Sequence, residues 1–322
     1  MQLSVLGLVS IDTLNFEGGQ SYVGGGGLAT AWVASLWGVN TTLYSINSNS
    51  LCNKIIERNL LISARTLTHK DCFNAHETTR FSISQGRQEN EFSYNISNLY
   101  NSSDELIAFL RIDSNRKYIK LPASNFYLLD NVNRDFSVNP QGHFDLKEFC
   151  SFVQPKGFVF LNRQELLDST HVDFFEALKY LENVSQSFVV TLGKDGAICY
   201  HCTERKWWYC PSIYTNNIKS TLGCGDAFAG GFLSAYTQGF SIQQCLAQGV
   251  FSAYCATQSA SNMITKWFND TSPNWIRQFY RYMNYFDDID HLFEFLLVKH
   301  HLLPVSFDVV FDNSVNYCWI YP

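Results

Sequence analysis

The sequence predicts an α/β fold, with a central, mostly parallel β-sheet covered by helices on both faces. Three features carry this. From residue 125 onward, short apolar runs at 126–129, 157–161 and 188–191 alternate with longer helical patterns at 172–181, 226–237 and 242–259. Strands that read as unbroken apolar runs between helices are those buried on both faces of a parallel sheet. The chain opens the same way, with an apolar strand at 2–9 and a helical pattern at 28–37. At 322 residues and 46% hydrophobic content it can also bury a substantial core.

The run 2–9 is short and lacks a basic lead, so it reads as a strand and not as a signal peptide. Residues 16–23 read as a hairpin turning at Gly18-Gly19. Gly24 to Gly27 lead into the 28–37 helix, and Gly38 is placed to end it. Residues 41–46 have a strand pattern. The β-prone segments 78–83 and 91–96 lie around the turn-like Gln85-Gly86-Arg87, outside the strand–helix rhythm, and predict a small accessory sheet. Segments 197–202 and 207–209 form a further strand pair. The last segment, 264–322, is crowded with aromatics such as Trp267, Phe268, Trp275 and Phe279, and carries strand patterns at 305–311 and 315–321. It has no catalytic spacing and is expected to pack against the main body. No internal repeat is visible.

A net charge of −6 with scattered Lys and Arg argues against nucleic acid, which requires a clustered basic footprint. No apolar run approaches the roughly 18 residues needed to span a membrane. The ten cysteines are dispersed. The closest group is Cys199, Cys202 and Cys210, with His201 between the first two. A structural zinc usually takes two well-spaced ligand pairs, and the alternation of Cys199 and His201 also suits a half-buried strand. Reduced thiols in a cytoplasmic enzyme are the favoured reading.

The chemistry concentrates in Ser220-Thr221-Leu222-Gly223-Cys224-Gly225-Asp226-Ala227-Phe228. Two glycines flank a small residue, and an Asp follows where an apolar helix begins. Glycines let backbone N–H groups converge on an anion, and a helix N-terminus adds partial positive charge. An ionised Asp there sits beside a bound phosphate and can take the proton of an attacking hydroxyl. On spacing alone, a glycine turn followed by an Asp cap would look the same. The segment lacks the Gly-Lys-Ser/Thr of a Walker A loop and is no dinucleotide loop either.

This segment resembles the signature of the ribokinase, or PfkB-type, family of sugar and nucleoside kinases, Asp-Thr-x-Gly-Ala-Gly-Asp followed by Phe and a Gly-rich helix start. The resemblance implies that Asp226 is the catalytic base, with Gly223, Cys224 and Gly225 as the anion hole and Thr221 beside the nucleotide. Further matches follow the family's order. Gly24-Gly25, with Gly38 fourteen residues later, resembles the signature lining the substrate pocket. Asp12 fits the family's ligand for a substrate hydroxyl. Asn162 and Glu165 resemble the Asn-x-x-Glu motif that organises Mg²⁺, although Asn with Glu three residues on is also a helix-capping pattern. Thr191, Gly193 and Gly196 fall on a strand–turn–strand similar to the one that touches ATP, where a plain hairpin turn is the alternative.

Two departures stand out. Ser220 replaces the leading Asp, which in several members helps bind a monovalent cation. Ala29 stands where the family has an Asn that contacts substrate. The resemblance covers roughly residues 1–262 and implies a ribokinase-like three-layer sandwich with a small β lid, from about 13–23 and 76–97, that excludes water. Residues 263–322 would then be an aromatic-rich C-terminal extension. It implies ATP and Mg²⁺ as cofactors, a small-molecule acceptor and a homodimer through the lid. The acceptor is a sugar, or a nucleoside whose base Phe16, Tyr22 and Phe81 could stack. A silent relative that binds without turnover is the alternative of a different class.

Overall fold

The computed structural model describes residues 2–7, 9–45, 49–63, 67–71, 79–84, 87–91, 105–110, 124–129, 146, 150, 153–268, 276, 279–298 and 314–322. Ten strands form the central sheet: β1 (Gln2–Leu6), β4 (Asn40–Ser45), β5 (Leu67–Asp71), β8 (Glu105–Leu110), β9 (Ser124–Leu129), β10 (Val153–Asn162), β11 (Ser187–Thr191), β12 (Ala197–His201), β13 (Lys206–Cys210) and β15 (Asn284–Phe286). Their order is β15-β13-β12-β11-β10-β9-β8-β1-β4-β5. Pairing is parallel from β11 through β5 and antiparallel from β11 to β15.

Side-chain alternation on these strands builds two cores. In β10, Phe158 and Phe160 enter one cluster while Val159 and Leu161 enter the other. Val189 and Cys199 follow the first pair, and Phe188, Val190, Ile198 and Tyr200 the second. Period-two alternation with both sets buried marks a sheet covered on both faces. The first cluster is closed by α1 (Gly26–Leu36), α2 (Ser50–Ser63), α5 (Cys224–Thr237) and α6 (Ile242–Thr257), the second by α3 (Arg163–Thr170), α4 (Phe174–Leu181) and α7 (Ile289–Val298). The result is the expected three-layer sandwich.

A second sheet has the order β17-β3-β2-β6-β7, from β2 (Ser10–Leu14), β3 (Gln20–Gly24), β6 (Thr79–Ser84), β7 (Arg87–Glu91) and β17 (Ile320–Tyr321). It corresponds to the expected lid, with two differences. The first hairpin strand is 10–14, and residues 15–17 form a 3₁₀ turn before Gly18 and Gly19, at φ +72° and +78°. The other difference is at the sheet's edge, where the chain's own C-terminus covers β3: Ile320 pairs with Tyr22, and Trp319 O accepts from Val23 N at 2.8 Å. Residues 92–96 and 305–311, also read as strands, lie outside the described residues.

The aromatic segment after 263 is woven into the molecule. It supplies β15 to the central sheet and β17 to the lid, and pairs β14 (Lys266–Phe268) with β16 (Ser314–Asn316). Trp32, at the centre of α1, which is buried from Gly27 to Leu36, meets Tyr317 and Trp319 edge-on at 4.8 and 5.0 Å. Trp37 contacts Trp267 at 5.2 Å and donates from Nε1 to Ser252 Oγ at 2.8 Å. Edge-to-face pairs of this kind add to the burial of large rings. Among the described residues, no helix is long and apolar enough to cross a membrane.

Candidate functional site

Asp226 lies in the first turn of α5, behind Gly223, which adopts φ +74°. Glycine is required at that position twice over. The left-handed backbone disfavours a β-carbon, and one built there would meet Asn262 Cβ at 2.5 Å and its Cα at 2.6 Å. The loop ahead of it is pinned: Lys219 N donates to Thr257 O at 2.8 Å, and Leu222 N donates to Ser220 Oγ at 3.0 Å. Cys224 N makes a long contact, 3.3 Å, to Thr221 O. A β-carbon on Gly225 would meet nothing within 4 Å, so the space at the helix start is open. First-turn N–H groups have no partner within the helix, which suits them to an anion. Burial, with the neighbouring Asp226 carboxylate, pushes the Cys224 thiol up to about 12, so it packs as a neutral side chain against the first core.

The N-terminal candidate residues converge on the same place. Asp12 is on β2, in register with Tyr22 on β3 and Phe81 on β6, and is 2% exposed. Ser10 Oγ donates to its Oδ1 at 2.7 Å. Gly24 ends β3, and the position its β-carbon would take is crowded by Asp12 Oδ2 and Asn262 Oδ1. Gly25, at φ +104°, caps α1. That helix is locked to α5: Thr30 Oγ1 donates to Asp226 O at 3.2 Å, and a β-carbon on Gly230 would come 2.6 Å from Thr30 O. The starts of the two helices are therefore held side by side, and Asn262 spans from Gly223 to Gly24. Leu14 and Tyr22 of the lid pack with Leu222 and Ala260 over this junction.

Asn162, Glu165, Thr191, Gly193 and Gly196 form a second group. Asn162 and Thr191 are paired at the carboxyl ends of β10 and β11, the edge where open α/β sheets bind ligands. Glu165 N donates to Asn162 Oδ1 at 2.9 Å, and Asn162 N donates to Glu165 Oε2 at 2.7 Å, a capping box for α3. After Thr191 the chain makes a 3₁₀ turn through Gly193 (φ +63°) to Gly196 (φ +96°), where any β-carbon would strike the backbone of Cys210 and Pro211. Phe232 of α5 lies 5.3 Å from both Phe158 and Phe160, so helix and strand share one packing layer.

Sequence reasoning missed Asn262 and Thr30. Neither belongs to a motif with chemistry of its own, and only the fold brings them to the glycines. The cysteine group of the β12–β13 pair has Cys199 and Cys210 buried in the first core. Among the described residues no three His, Cys, Asp or Glu are grouped to hold a metal ion.

Residues 146–267 match the pfkB family of carbohydrate kinases. A nucleoside kinase of Methanocaldococcus jannaschii is 26% identical over 247 residues, 72% of this chain and 78% of that protein. A cytidine kinase of Thermococcus kodakarensis is 32% identical over 124 residues, 38% of this chain and 41% of that one. The solved M. jannaschii nucleoside kinase, described as an archaeal member of the ribokinase family, superposes with a TM-score of 0.60 at 18% identity, covering 87% of this chain and 98% of that one. The aminoimidazole riboside kinase of Salmonella enterica, solved with its riboside and an ATP analogue, gives 0.61 at 11% identity, covering 87% and 100%. The chain is thus similar to PfkB, or ribokinase-type, kinases over residues 146–267, and its fold is ribokinase-like.

Proposed function

We propose that this chain is an ATP-dependent kinase that transfers the γ-phosphoryl group to a hydroxyl of a sugar or sugar derivative, a nucleoside being the form its sequence relatives favour. The observation that carries the reading is the junction of Asp226, Gly223, Asn262, Gly24 and Asp12. It sets a carboxylate at an open helix N-terminus near the buried Asp12 and Gly24, with Leu14 and Tyr22 of the lid packed on Leu222 and Ala260. Asp12 and the Gly24-Gly25 turn hold the acceptor. Asp226 takes the proton from the acceptor hydroxyl as its oxygen bonds to the γ-phosphorus and the bond to the β–γ bridging oxygen breaks, leaving ADP. First-turn N–H groups from Gly223 to Gly225 face the charge on the transferring oxygens. The lid keeps water from competing as acceptor. Thr191, Gly193, Gly196 and Thr221 border the nucleotide. The test is turnover of ATP against a panel of sugars and nucleosides, and absence of turnover with every acceptor would overturn the reading.

Asn162 and Glu165 fit a magnesium ion only through its water shell, because each already uses an oxygen in the capping box. Bound with ATP, the ion would supply charge neutralisation on the phosphates. Glu165→Gln is expected to raise the Mg²⁺ concentration for half-maximal activity by roughly 10- to 100-fold, with acceptor KM little changed. An unchanged Mg²⁺ titration would leave the carboxylate as a helix cap only.

Ser220 fixes its loop by accepting from Leu222 N, with no carboxylate there to hold a cation. Activity is therefore expected to be similar in potassium and in a bulky organic cation at constant ionic strength. A several-fold saturable activation by potassium would contradict this.

A further inference from the structure

Residues 317–321 are fixed to the body on one side and to the lid on the other. On the body side, Tyr317 N donates to Thr265 O at 2.8 Å, and the buried rings of Tyr317 and Trp319 close on Trp32 of α1. Asn59 of α2, itself fully buried, grips the backbone of Cys318 twice. Its Nδ2 donates to Cys318 O at 2.8 Å, and its Oδ1 accepts from Cys318 N at 2.9 Å. Nδ2 also donates to Ile55 O at 2.9 Å, one turn back in the helix. Asn49, whose Oδ1 accepts from Leu51 N and Cys52 N at the start of α2, donates from Nδ2 to the Tyr321 hydroxyl at 3.0 Å. On the lid side, Trp319 O accepts from Val23 N at 2.8 Å, and Ile320 and Tyr321 pair with Tyr22 and Ser21.

A two-stranded hairpin is marginal alone and needs a further strand or a packed face. Outside the first core, the β2–β3 hairpin has only a small buried cluster, Leu14 and Tyr22. The two-residue β17 has little hold of its own, so its grip on β3 comes from the Asn59 and Trp32 anchors just before it. We infer that residues 317–321 are a brace that sets the lid hairpin against the body, with Asn59 as its positioning residue. Val23, which the brace holds, is followed by Gly24 beside Asp12 and by Gly25 at the start of α1. Among the described residues the hydrogen bonds of the Asn59 side chain go to Ile55 and Cys318, so its influence reaches the candidate site through β3. The brace also closes the β3 edge, whose backbone groups would otherwise be open to strand addition. Its effect on the acceptor rests on the kinase reading; the bracing of β3 does not.

The test cuts the brace at each end. Asn59→Ala removes the anchor on Cys318, and the double variant Ile320→Pro, Tyr321→Pro removes the backbone donors of β17 while leaving Trp319 in place. Amide hydrogen exchange of the full chain without ligand should speed up about tenfold over β3 in both variants, with β10 and β11 at their wild-type rates. Steady-state kinetics use whichever of cytidine, adenosine, ribose and fructose the wild type turns over fastest. KM for that acceptor should rise several-fold, with KM for ATP level. Unchanged exchange over β3 in either variant overturns the brace, as does exchange that rises equally in β3, β10 and β11, which would leave Asn59 a packing residue. If Asn59→Ala does not fold, the proline variant decides alone, since Ile320 is exposed and Tyr321 half-buried. Faster β3 exchange with both KM values unchanged overturns the effect on the acceptor. Absence of turnover in the wild type would overturn the kinase reading, and exchange over β3 would still decide the brace.

Discussion

Asp226→Asn is expected to lower kcat by roughly 10²–10⁴-fold while leaving ATP binding largely intact. The side chain sits in the first turn of α5, behind the left-handed Gly223 and across from the start of α1. In the proposed mechanism it faces the acceptor hydroxyl and not the nucleotide. Asparagine keeps the size and a hydrogen-bond acceptor but cannot take a proton at neutral pH. The loss should therefore appear in kcat, with KM for ATP little moved. Single-turnover measurement with saturating ATP separates the chemical step from product release. A variant that keeps more than about a tenth of wild-type kcat would remove Asp226 as the base, since a positioned base contributes far more than that. A variant that no longer binds ATP would assign the carboxylate to nucleotide binding instead.

The layers of the fold were legible because β10 to β13 alternate residue by residue between two buried faces, and short apolar runs between helical patterns fit little besides a sheet covered on both sides. The glycine turn into α5 was legible because Gly223, Gly225 and Asp226 lie within four residues of one another in the sequence. What was not legible depends on partners far apart in the chain. β17 has only two residues and gains its place by pairing with β3. No pattern in so short a segment can announce a strand. The acidic run from Asp287 to Asp290 has no catalytic spacing, and its visible role is local: Asp288 Oδ1 accepts from His291 N at 2.9 Å at the start of α7. β5 reads Leu-Thr-His-Lys-Asp, too polar for the apolar-run rule, because it is the last strand of the sheet. Asn162 and Glu165 show the opposite case: the capping geometry legible in their spacing is present, and it narrows what they can do for a metal.

Gly223→Ala should damage stability and catalysis together, whereas Gly225→Ala should damage catalysis alone. At Gly223 the methyl enters a left-handed backbone, which costs about 1–2 kcal/mol. It also runs into the main chain of Asn262, and forced overpacking of this kind costs about 1–3 kcal/mol more. The expected fall in Tm is about 3–7 °C. Gly239→Ala separates the two contributions, because Gly239 has φ +79° with nothing within 4 Å and should show the backbone cost alone. In Gly223→Ala the relief comes by moving either α5 or Asn262, and both lie at the junction of acceptor and phosphate. A shift of about 1 Å there is enough to lose roughly 10²-fold in kcat/KM. Gly225 has an ordinary backbone and open space around its β-carbon position. Its methyl should be harmless to the fold but intrude where the γ-phosphate docks, so Tm stays level while kcat/KM for ATP falls. If both variants lost stability and activity in proportion, the open space at Gly225 would be irrelevant to phosphate binding. If Gly225→Ala were fully active, the first turn of α5 would not be the anion site.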